Sequence, residues 1–209
     1  MSLHPDIDAI RGAAKTGDVL HVRSKTFFGF WIRRMLSLGL NKCWGNHNAP
    51  VYEVDGRLYI LQIEAPAAYE MLLSDYLHQT YERGGRVILL RPDVLCKRRS
   101  PKQISGIQFA TQRWRLMIGM KYDKRGIRMF LRMVFRQSAH VDENTKERIY
   151  CTEGTFDPLV FNPYIGWQPD MLKNEQYPAP IHVEHLLRQE RLVFVAGDEV
   201  GQESIIEQK

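Results

Sequence analysis

Cysteine is scarce in this chain. Cys43, Cys96 and Cys151 are the only three in 209 residues, and each stands more than fifty positions from the next. An odd count at such spacing excludes a disulfide framework and a cysteine-based zinc site. Long apolar runs are also missing: nothing approaches the roughly 20 residues that cross a bilayer. The opening stretch, M-S-L-H-P-D-I-D-A-I-R, has no apolar segment behind a charged one, so a cleaved signal is not expected and the default location is the cytoplasm. Internal repeats and low-complexity tracts are absent. His182 and His185, three residues apart, lack a third ligand and read as surface or packing residues, so no metal and no organic cofactor is expected. Acidic residues are nearly absent from one region: between Lys97 and Arg136 twelve Lys/Arg face a single acid, Asp123. That block carries +11 of a net +5, which leaves the remainder at −6. Such asymmetry favours an anionic partner, although a solvated helix face accounts for it equally well.

What is present is enough apolar material, 44% of residues, to build one globular domain across 1–209. Residues 1–16 read as a short helix or arm. Gly17-Asp18 opens a strand, V-L-H-V-R. Phe27, Phe30, Trp31, Arg34, Met35 and Leu38 follow helical spacing and predict a helix from Thr26 to Leu38. A helix is expected to start at Pro66 and run to about Tyr76, stopped by Gly84-Gly85. A strand over Arg86–Leu90 ends near Pro92. Two helices are expected in the basic block, at Pro101–Met120 and Gly126–Gln137, the second aligning Arg128, Arg132 and Arg136. Residues 161–176 read as irregular, His182–Gln189 as a helix and Arg191–Val195 as a last strand. The acidic end after Gly197 is expected to fray.

Asp55-Gly56 separates two strand-like runs, H-N-A-P-V-Y-E-V and R-L-Y-I-L-Q-I-E, the pattern of a two-residue hairpin. That register sets Val54 opposite Arg57, Val51 opposite Ile60 and His47 opposite Glu64. Opposed residues have Cβ atoms about 5 Å apart. A carboxylate there can hold one imidazole nitrogen and leave the other for proton transfer. An acid-oriented base calls for a nucleophile, and the best candidate is Cys151, in I-Y-C-T-E-G. On spacing alone, a cysteine in that position is more readily a buried small hydrophobe than a nucleophile.

The order of motifs resembles the circularly permuted branch of the NlpC-type, papain-like cysteine hydrolases, the YiiX-like group. The matching pieces are Gly17-Asp18-Val19-Leu20, Trp44-Gly45-Asn46-His47-Asn48-Ala49, Glu64-Ala65, Leu90-Arg91-Pro92, Tyr122-Asp123, Tyr150-Cys151-Thr152-Glu153, and Ala179-Pro180 leading into Leu192–Val195. They span about residues 17–196. The resemblance implies an α+β, papain-like antiparallel sheet packed against helices. It also implies Cys151 as nucleophile, His47 as base and Glu64 as orienting acid. Asn46, Trp44 and Tyr150 are candidates to flank the substrate, and Arg128, Arg132 and Arg136 to meet an anionic partner.

Two features depart from the family pattern. Gly154 and Asp157-Pro158 fall where a longer helix usually follows the cysteine, and proline beyond the first turn kinks or breaks a helix. The segment 93–137 is long and basic, an elaboration suited to substrate or partner. The activity so implied is hydrolysis of an amide through a thioacyl-enzyme. Alternatives are acyl transfer, lipid-ester hydrolysis, or a non-catalytic module that binds an anionic partner.

Overall fold

The computed structural model describes residues 4–26, 30, 33, 34, 43–122, 148, 149, 151–169 and 180–207. The fold is α+β, built on a six-stranded, wholly antiparallel sheet in the order β4-β3-β2-β1-β5-β8. Its strands are β1 Val19–Arg23, β2 His47–Val54, β3 Arg57–Gln62, β4 Tyr69–Leu72, β5 Arg86–Pro92 and β8 Leu192–Gly197. Two short strands, β6 Lys121–Tyr122 and β7 Arg148–Ile149, pair in parallel elsewhere. The helices among the described residues are α1 Pro5–Ala13, α2 Leu73–Glu82, α3 Pro101–Leu116, α4 Cys151–Val160, α5 Pro180–Arg188 and α6 Glu199–Ile206.

Helices cover both faces of the sheet, so central strands are apolar on both sides. In β5, Val87, Ile88, Leu89 and Leu90 are all fully buried, and they alternate between two cores. Leu20, Val51, Ile60, Val87 and Leu89 pack with Ile7 and Ile10 of α1 and with Leu73 and Leu77 of α2. On the other face Val19, Tyr52, Leu61, Ile88 and Leu90 pack with Trp114, Phe156 and Trp167. Helix α3 starts with proline behind a capping box made by Ser100 and Gln103, and buries Gly106, Ile107, Ala110 and Trp114 along one stripe.

The hairpin forms as its sequence dictates. Asp55 and Gly56 have φ of 50° and 74°, and Val54 pairs with Arg57 and Val51 with Ile60. The β2–β3 ladder ends at that last rung, while the first half of β2 pairs with β1, His47 lying opposite Val22. Strand β2 therefore changes partners midway, and His47 lies beyond the hairpin proper.

Three expectations are corrected. The segment after Pro66 is not helical at first: Tyr69–Leu72 forms β4 on the free edge of β3, and the helix begins only at Leu73. An unpaired strand edge is a liability, and this segment caps it. Helix α3 stops at Leu116, followed by a turn through Gly119 at φ 87°. Residues after Gly197 do not fray but form α6. Ile205 is buried there, and Gly201 lies so close to Trp44 that a Cβ would come within 2.6 Å of its Nε1. Most of the helix expected over Thr26–Leu38, and all of that over Gly126–Gln137, lie outside the described residues.

Candidate active site

Helix α4 begins at Cys151, and its first turn is directed at β2. Neither Gly154 nor Pro158 breaks it: ten residues run helical to Val160, with Pro158 in the last turn and the Thr155 hydroxyl donating to the Cys151 carbonyl at 2.7 Å. Cys151 is buried at 8% exposure, whereas His47 keeps partial exposure. The two side chains lie close enough for each to shift the other's protonation.

The electrostatics of this pair single it out. Burial pushes the Cys151 thiol up. The hydrogen bond and charge of His47, then the Asn48 backbone N–H and the Thr152 hydroxyl, outweigh that and hold it below the ordinary thiol value. Burial opposes the charged imidazole of His47, but the bond to Cys151, the charge of Cys151 and Glu64, and the bond to Gln62 together raise it. The two shifts favour a thiolate beside an imidazolium. The other two cysteines move the opposite way. Burial, then the adjacent Glu184 carboxylate, pushes Cys43 well up, and partial desolvation raises the exposed Cys96.

The imidazole is oriented by a residue two positions from the one the hairpin register suggests. Gln62 Oε1 lies 2.5 Å from His47 Nε2. Glu64 is exposed and accepts a hydrogen bond from the Tyr69 hydroxyl at 2.6 Å, so it reaches His47 only through its charge. Because β2 and β3 stop pairing at Val51–Ile60, strict register no longer predicts which side chains meet further on. The amide oxygen makes His47 Nε2 the protonated nitrogen and leaves Nδ1 for Cys151. Gln62 is itself held by a hydrogen bond with Tyr76, which also bonds Thr80. The sequence contained one sign of this: Gln62 is a polar residue in an otherwise apolar strand end, L-Q-I, buried at 3% exposure.

The remaining sequence candidates fall elsewhere. Trp44 is a core residue, 5.4 Å between ring centroids from His21. Asn46 is spent on backbone architecture: it accepts from the Ser24 N–H and donates to the Ser24 hydroxyl, each at 2.8 Å. Asp18 accepts from the Lys15 N–H and makes a two-point ion pair with Arg91 at 2.7 and 2.8 Å, which fixes the entry to β1. Tyr150, Arg128, Arg132 and Arg136 lie outside the described residues. Among the described residues no group of three His, Cys, Asp or Glu could hold a metal ion. Nor is any helix there long and apolar enough to cross a membrane.

No protein-family model matches the chain, and no curated protein does. Among solved structures, it is similar to the metalloprotein YiiX of Escherichia coli O157:H7. Identity is 14%, the TM-score is 0.49, and the match covers 72% of this chain and 67% of YiiX.

Proposed function

We propose that this protein is a cysteine hydrolase with a permuted papain-like arrangement, acting on an amide bond through a thioacyl-enzyme. The observation that carries this reading is the buried Cys151, first residue of a ten-residue helix, beside His47, whose influence holds it below the ordinary thiol value. The Cys151 thiolate attacks the carbonyl carbon and a C–S bond forms. The negative charge moves to the carbonyl oxygen, where N–H groups of the first turn of α4, which have no partner within the helix, can receive it. The tetrahedral intermediate collapses, and the imidazolium of His47 protonates the leaving nitrogen as the C–N bond breaks. Water then loses a proton to Nδ1 of His47 and attacks the thioester, releasing the acid and restoring the thiol. Gln62 keeps the proton on Nε2 through both steps. An ester follows the same path with an alcohol as leaving group, and an amine or alcohol in place of water gives acyl transfer.

A second reading draws on the basic segment. Residues 94–122 contain no acid, and exposed Lys102, Arg113 and Arg115 stand on α3 near exposed Phe109 and Leu116. That mixture suits an anionic lipid surface and would direct the same site toward lipid esters. The test is capture of the intermediate. The protein is mixed with activated acyl amides and p-nitrophenyl esters and quenched in acid, and intact mass is read. A mass increase equal to the acyl group, mapped to Cys151 and absent from Cys151→Ala, is expected. Turnover that survives Cys151→Ala would overturn the reading.

A further inference from the structure

A second polar line, fully buried, runs behind the dyad. Alternation along β2 sends Asn48 to the face opposite His47. There Asn48 Nδ2 donates to the Thr152 hydroxyl at 3.0 Å, and Asn48 Oδ1 lies 2.8 Å from His21 Nδ1. His21 Nε2 lies 3.3 Å from Glu184 Oε1, and His21, Asn48, Thr152 and Glu184 are all at 0% exposure. The same carboxylate oxygen accepts from the backbone N–H of Trp44 at 2.7 Å and of Gly45 at 2.9 Å, and from the Cys43 thiol at 3.3 Å. All of these donors converge on Oε1, while Oε2 is buried with no hydrogen-bond partner among the described residues. Since Asn48 donates through Nδ2, its Oδ1 is an acceptor. Both ring nitrogens of His21 then face acceptors.

This line grips the site from both sides. Glu184 pins the Trp44-Gly45 backbone that leads directly into His47. His21, through Asn48, reaches Thr152, whose hydroxyl is 3.9 Å from the Cys151 sulfur. Gly45 makes the approach possible: a Cβ there would come within 2.3 Å of the His21 ring. The dyad's own chemistry uses none of His21, Glu184 or Cys43. We propose that Glu184 and His21 are positioning residues of the dyad, fixing His47 through the 44–45 backbone and the Cys151 sulfur through Asn48 and Thr152. The inference rests on reading Cys151 and His47 as the reacting pair.

Apart from this line, the titratable groups among the described residues that bear on Cys151 or His47 are Tyr76 of α2 and Glu64 after β3. Those that meet Glu184 are His21 of β1 and Cys43. The test is the rate of Cys151 alkylation by iodoacetamide against pH, resolved by peptide mass, in the parent, Glu184→Gln, Thr152→Val, the double variant and His47→Ala, with melting followed for each. Glu184→Gln should shift the profile upward by about one pH unit, about tenfold less thiolate below the midpoint. The double variant should be no worse than its worse single, because both act on one line. A folded Glu184→Gln with the parent's profile, or effects that multiply, would overturn the proposal. Should Glu184→Gln fail to fold, Asn48→Ser takes its place with the same outcomes, since it cuts the line yet keeps the backbone N–H on the sulfur. An unchanged profile in His47→Ala would sink the dyad reading itself, whereas collapse there beside a parent-like Glu184→Gln sinks only the positioning role.

Discussion

Replacing Gln62 by Met removes the acceptor 2.5 Å from His47 Nε2 while nearly preserving side-chain length. The Nε2–H loses its partner in a largely closed setting. The neutral ring is then free to carry its proton on Nδ1, which turns an N–H rather than a lone pair toward the thiol. A neutral hydrogen bond that fixes a tautomer is worth about 1 kcal/mol net. At about 1.4 kcal/mol per decade, the competent fraction falls about fivefold. Alkylation of Cys151 near neutral pH should slow by that factor in Gln62→Met, and recover in Gln62→Glu, where a carboxylate takes the same place and favours the imidazolium. Glu64→Gln is the contrasting variant. Glu64 is exposed and acts on His47 only through charge, so its removal should change the rate by less than about twofold at physiological salt. Rates are read by mass after timed quenching, with melting curves to correct for the loss of the Tyr76 contact. If Gln62→Met reacts like the parent while Glu64→Gln loses most of its reactivity, the orienting group is the acid and not the amide.

Burial pushes Asp157 up to about 6 against the partial relief of Arg113. The folded state therefore holds a proton that the unfolded chain has released. Stability is full below the unfolded value near 3.8 and falls as pH rises through about 6. Asp157→Asn should gain up to about 3 kcal/mol at pH 7 and lose this slope, as thermal melts from pH 4 to 7 would report. Asp18 is fully buried and grips Arg91 at two points, so Asp18→Ala should cost about 3–5 kcal/mol in denaturant unfolding. A loss below about 1 kcal/mol would mean the pair contributes little to the β1 entry.

Local rules carried much of the architecture. The hairpin follows from Asp55-Gly56, which supply the two positive φ angles of a tight turn, and the two-sided burial of β5 is written in Val87–Leu90. Pro101 behind Ser100 marks the start of α3. His47 and Cys151 were legible as chemistry-bearing types, and the fold sets them in contact across about a hundred residues of chain. Where local rules failed, tertiary pairing won. Residues 69–72 became a strand because β3 offered an edge, and residues 199–206 became a helix because Trp44 and the α5 side offered a surface. Glu64 was the natural choice by register, but the β2–β3 ladder ends before it, and no sequence rule fixes where two strands part. The Glu184–His21 line was invisible for a related reason: its members are 163 residues apart, and neither sits in a recognisable motif with the other.

The proposed hydrolase requires Cys151 to be an activated nucleophile. The most direct test is the pH dependence of its alkylation in the parent and in His47→Ala, with Cys43 and Cys96 separated by peptide mass. Activation predicts rapid labelling of Cys151 below pH 7. In His47→Ala the largest influence opposing burial is gone, so the midpoint should rise and the rapid labelling below pH 7 should be lost. Slow labelling with a midpoint at or above the ordinary thiol value, the same with and without His47, would show that Cys151 is an ordinary buried thiol.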